Sequence, residues 1–71
     1  MKIAIWGAGK FGQYVMEQLL ANDSVELQCI IDNYADSCQK INNIEIVSPN
    51  VFLKRYDSET DCVLVAFTEG L

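Results

Sequence analysis

The sequence predicts an α/β fold of three layers, with helices on either side of a small, mostly parallel sheet. Three observations carry that expectation. Residues 1–6, 25–31 and 61–67 are apolar runs of strand length, rich in branched side chains, and near-continuous apolar strands suit a parallel sheet covered on both faces. Between the first two runs the apolar residues recur at helical spacing, so the order is strand, helix, strand, a unit whose strands are parallel with a right-handed crossover. A glycine turn, Gly7-Ala8-Gly9-Lys10-Phe11-Gly12, joins the first strand to that helix.

Within the helix, residues 10–21, Phe11, Val15 and Leu19 fall at steps of four, and Gly12, Met16 and Leu20 broaden the apolar face. Asn22-Asp23-Ser24 ends it with turn-forming residues. The second strand follows, and residues 33–39 are polar and read as loop. Ile41-Asn42-Asn43-Ile44 places two asparagines, which tolerate positive φ, between branched residues, so a tight turn is expected there. Residues 45–47 make a short edge strand. Ser48-Pro49 marks a helix start, because the serine oxygen accepts from exposed N–H groups and proline is pre-set for the first helical position. That helix is expected over 49–56, with Val47 and Phe52 placed as a hydrophobic staple and Val51, Phe52, Leu53 and Tyr56 on its buried side. Asp57 to Thr60 is a polar turn before the last strand.

Seventy-one residues form one domain, 1–71, and a core of that size rarely supplies more than roughly 3 to 5 kcal/mol without disulfides, a metal or a partner surface. Self-association into a homo-oligomer, or docking against a further C-terminal portion of a longer domain, is therefore expected. Ten acidic residues against five basic ones give a net charge of -5, and the basic residues form no cluster larger than a pair. A nucleic-acid surface needs a concentrated positive face, so none is expected. No run is long enough to span a bilayer and the amino terminus lacks the sections of a signal peptide, which points to the cytoplasm. Cys29, Cys38 and Cys62 form no C-x-x-C pair and there is no histidine, so neither a disulfide framework nor a zinc site is indicated, and the commonest general base is missing. Cys29 and Cys62, in or beside strands, read as small apolar residues, and Trp6 reads as a core or interface residue.

The glycine turn has the G-x-G-x-x-G spacing of a dinucleotide-binding turn. Gly7 permits the tight exit from the strand, Gly9 lets the backbone approach a pyrophosphate, and Gly12 lets helix and strand pack closely. Phosphates then rest on the helix N-terminus, where N–H groups lack partners and the dipole is positive. Asp32 stands twenty positions after Gly12, at the end of the second strand, where a carboxylate bonds ribose hydroxyls. No arginine lies nearby to accept a 2′-phosphate, so NAD is favoured over NADP. Candidate contacts to the cofactor are Gly7, Gly9, Lys10, Phe11, Gly12, Asp32 and, at the end of the last strand, Thr68. The alternatives are close packing beside an empty crevice for the glycines, and a solvated side chain for Asp32 and Lys10.

Read in order, Ile5-Trp6-Gly7-Ala8-Gly9-Lys10-Phe11-Gly12, Cys29-Ile30-Ile31-Asp32-Asn33, Ile44-Glu45-Ile46-Val47-Ser48-Pro49 and Asp61-Cys62-Val63-Leu64-Val65-Ala66 resemble the Rossmann-like N-terminal module of bacterial polysaccharide-biosynthesis and sugar-nucleotide-modifying enzymes. The resemblance implies that the short strand lies outside the second and the last lies beside the first. It also implies that NAD or a nucleotide-sugar is held at Gly7, Gly9, Gly12 and Asp32. Asn43 stands where the module commonly has glycine. Related modules run longer, which implies a truncated domain. Three functions are open on this reading: a nucleotide-binding module without a complete active site, an association domain with an empty crevice, and the cofactor half of an oxidoreductase.

Overall fold

The computed structural model describes residues 1–35 and 39–66. Among them the order is β1 (Lys2–Trp6), α1 (Lys10–Leu20), β2 (Glu26–Ile31), β3 (Lys40–Ile41), β4 (Ile44–Val47), α2 (Pro49–Arg55) and β5 (Cys62–Val65), with one 3-10 turn at Asp57–Glu59. The strands form one five-stranded sheet in the order β3-β4-β2-β1-β5. β1, β2, β4 and β5 are parallel neighbours, and β3 alone runs antiparallel, against β4. The mostly parallel α/β sheet expected from the sequence is present, with the short strand outside the second and the last beside the first. β3 is an addition: Asn42 and Asn43 adopt φ of 50° and 67°, and two successive positive φ values form the two-residue turn that closes a hairpin.

Alternation along the strands divides the core into two layers. Ile5, Leu27, Ile30, Ile46 and Ala66 pack with Met16 of α1, while Ala4, Cys29, Ile31 and Val47 pack with Phe52 of α2. Leu27 and Cys29 fall on different faces although they are two apart, because β2 carries a bulge. Ile3 pairs with Leu27 but Ala4 pairs with Cys29, which leaves Gln28 as the extra residue. The insertion puts Leu27 on the α1 face with Ile30, while Cys29 and Ile31 face α2.

Each helix is narrower in its burial than its sequence suggests. α1 meets the sheet through Gly12, Val15, Met16 and Leu19, whereas Phe11 is 52% exposed. Contact at a glycine brings the helix so close that residues flanking this stripe cannot also reach the sheet. In α2, Phe52 is buried and shares its cluster with Val47, as the staple requires, but Leu53 is 63% exposed. Phe52 seats the helix on the β2 and β4 side of the sheet, and among the described residues no helix covers the edge strand β5 on that side. A groove of about 350 Å³ results, lined by Trp6, Ile31, Phe52, Leu53, Val63 and Val65.

α2 begins where expected, Ser48 Oγ accepting from the Val51 N–H at 3.3 Å. It closes at Tyr56, whose hydroxyl donates to Glu45 Oε1 at 2.5 Å, beside an Arg55–Glu45 ion pair at 3.6 Å. This bond, with partial burial, holds the Tyr56 phenol up from 10.0 to about 12. Burial, and then the Glu45 charge, pushes the Cys29 thiol up from 9.0 to about 12. Cys62 is only half-buried.

Both groups are held neutral by the fold, so their stabilising effect is complete below the unfolded values and is lost as pH rises through the folded ones. Urea midpoints are therefore expected to fall as pH rises from 9.0 toward about 12. Tyr56→Phe should cost about 1 kcal/mol near neutrality, and its gap from wild type should close between pH 10.0 and about 12. A gap independent of pH would show that the Tyr56–Glu45 bond does not stabilise the fold.

Candidate functional site

The turn after β1 uses its three glycines for three different reasons. Gly7 has φ 131°, which side-chain-bearing residues rarely adopt, and its N–H donates to the Ile31 carbonyl at 2.8 Å, tying the turn to the end of β2. A Cβ on Gly12 would lie 1.8 Å from the Gly7 carbonyl oxygen and 2.8 Å from its carbon, so glycine here is what lets α1 sit on the turn. Gly9 is unlike both. Its φ of -74° suits any residue, and a Cβ built there would find nothing within 4 Å.

Gly9 is also the N-cap of α1, an eleven-residue helix with no side-chain cap and no acidic residue in its first turn. α2, by contrast, has Ser48 on its first N–H groups. The uncapped donors and the positive end of the dipole thus face outward at Gly9. Gln13 Nε2 donates to the Ala8 carbonyl at 3.2 Å, which holds the turn from the helix side.

Asp32 stands opposite, at the end of β2. Its N–H donates to the Val47 carbonyl at 2.9 Å, and its Oδ1 accepts from the Tyr34 N–H at 2.8 Å. One carboxylate oxygen is therefore engaged in the local turn, and among the described residues Oδ2 has no hydrogen-bond partner. Between the two turns lies a cavity of about 160 Å³, lined by Trp6, Gly7, Ala8, Gly9, Asp32, Asn33 and Tyr34. It lies outside the carboxyl ends of the neighbouring strands β1 and β2, whereas the strand order reverses between β1 and β5, and β5 contributes no residue to the lining. Its size suits one part of a nucleotide, since whole drug-sized ligands occupy roughly 300 Å³ or more.

Of the residues singled out in the sequence, Gly7, Gly9 and Asp32 come together around this cavity, with Gly12 directly beneath. Lys10 and Phe11 are exposed on the first turn of α1 and are not in the lining. Thr68 and Cys38 lie outside the described residues. Trp6, Asn33 and Tyr34 line the cavity without having been singled out for it. The signal was their adjacency, Trp6 to Gly7 and Asn33 and Tyr34 to Asp32. The sequence reads Trp6 as a core or interface residue instead. Asp32 and Tyr34 are the titratable side chains of the lining, and among the described residues no group of three or more His, Cys, Asp or Glu could hold a metal ion. The arrangement can cradle an anion and accept hydrogen bonds from a hydroxyl.

The profile of a family described as C2185-like, N-terminal, matches residues 1–69. No curated protein matches the chain.

Alanine at the three glycines should give three different results in urea unfolding followed by circular dichroism. Gly12→Ala is expected to cost about 3 kcal/mol, since only backbone stands in the way and neither segment can yield cheaply. Gly7→Ala should cost about 1 to 3 kcal/mol from backbone strain. Gly9→Ala should cost least, about 0.5 to 1 kcal/mol, the preference for glycine over alanine at an N-cap. A large loss at Gly9 would mean that this glycine serves folding and not the cavity.

Proposed function

The chain belongs to the C2185-like, N-terminal family, and we propose that it is a Rossmann-like nucleotide-binding module, holding NAD(H) or a nucleotide-sugar, without a complete active site of its own. The observation that carries this reading is Gly9. Neither backbone conformation nor packing requires glycine there, yet the residue caps an uncapped helix at the mouth of a cavity that Asp32 shares. Glycine is also favoured over alanine and the branched residues at an N-cap, but at the mouth of this cavity its missing side chain further allows close approach of a phosphate to the backbone.

In this reading the first N–H groups of α1 hold phosphate, and Asp32 Oδ2 accepts from a ribose hydroxyl. The bound nucleotide supplies the reactive or recognised group, and this chain positions it. With no lysine or arginine in the lining, a 2′-phosphate would meet only the Asp32 carboxylate, so NAD is favoured over NADP. The setting we propose, sugar-nucleotide modification in a bacterial cytoplasm, rests on the sequence resemblance. A calorimetric titration with NADH, a UDP-sugar and coenzyme A is the direct test. Saturable binding to NADH or the UDP-sugar, lost in Gly9→Val, is expected; no binding to any of them at millimolar concentration would overturn the reading.

The groove beside β5 favours a second reading, in which the domain associates with a second copy of itself. β5 is an edge strand, Val65 is 61% exposed, and every residue lining the groove is apolar. Two such edges meeting about a twofold axis would cover the same apolar patch on both copies without opposing charges. Sedimentation velocity at micromolar concentration should then show a dimer that Val65→Lys dissociates. A wild-type monomer throughout that range would reject it.

A further inference from the structure

We infer that Tyr34 is the platform on which the base of the bound nucleotide stacks, so that the crevice selects nucleotides with an intact flat base over sugar phosphates or pyrophosphate alone. This rests on the nucleotide reading and extends it to the part of the ligand that the glycine turn and Asp32 do not touch. At 85%, Tyr34 is more exposed than any other large apolar side chain among the described residues, yet it lines the same cavity as Gly9 and Asp32. Its main chain is held in place. The Tyr34 N–H donates to Asp32 Oδ1 at 2.8 Å, and the Ala35 N–H donates to the Asp32 carbonyl at 3.2 Å. The ring thus swings from an anchored stem two residues from the carboxylate that would take the ribose.

A base attached to a ribose seated on Asp32 emerges within reach of that ring. The exposed ring face is apolar surface that a stacked base would cover, and stacking is indifferent to the pattern of donors and acceptors on the base edge. A purine, with the larger π-face, should gain more than a pyrimidine. The hydroxyl of Tyr34 has no part in this, so phenylalanine should serve as well.

Calorimetry with ADP, UDP and ribose 5-phosphate, on wild type, Tyr34→Ala and Tyr34→Phe, tests the inference. Tyr34→Ala should weaken ADP binding about 5- to 150-fold and UDP binding less. Ribose 5-phosphate, measured by competition against ADP, should be unaffected, and Tyr34→Phe should bind ADP as wild type does. If Tyr34→Ala binds ADP normally while Gly9→Val does not bind it, the nucleotide reading stands and the platform is rejected. Equal weakening of ADP and ribose 5-phosphate would overturn it too, because Tyr34 would then act through the Asp32 turn. If wild type binds neither ADP nor UDP, both readings fall together.

Discussion

The fold depends on one close contact, the seating of Gly12 on the carbonyl of Gly7. With a would-be Cβ only 1.8 Å from that oxygen, α1 lies nearer the end of β1 than any other residue type would allow. The contact fixes where the helix begins. It therefore also fixes the direction in which the uncapped N–H groups of its first turn point, and the cavity between that turn and Asp32 follows from the same geometry. Met16, one turn further on, is buried because the helix has already been brought down onto the sheet.

The opposite face is organised differently. α2 is short and is secured at both ends by polar contacts, Ser48 at its start and Tyr56 to Glu45 at its close. Between them only Phe52 is fully buried. One layer is thus set by close backbone packing and the other by a single aromatic anchor with hydrogen bonds at its flanks. The second arrangement covers less of the sheet, and Val63 and Val65 remain in contact with water.

Most of the strand and helix order was legible because hydrophobic periodicity, the Ser48-Pro49 start and the asparagine pair each have a local cause. The β2 bulge was not legible. Leu27, Cys29, Ile30 and Ile31 are apolar whichever face they take, so no alternation broke to reveal Gln28 as an inserted residue. Nor was the exposure of Phe11 and Leu53, since an apolar residue at helical spacing is the same letter whether or not the sheet extends beneath it. At the candidate site the glycines and Asp32 could be read from spacing. For Tyr34 the one signal was its adjacency to Asp32, because its place in the lining comes from a turn that Asp32 closes with its own side chain, and a polar loop gives no periodic signal.

Trp6 lies at the end of β1 and forms part of the wall of both the glycine-turn cavity and the apolar groove. It is also the only tryptophan in the sequence. One indole therefore separates the two surfaces, and anything that dries or turns it from one side alters the wall presented on the other. The chain carries its own fluorophore at the partition, and a single emission band reports on both compartments at once.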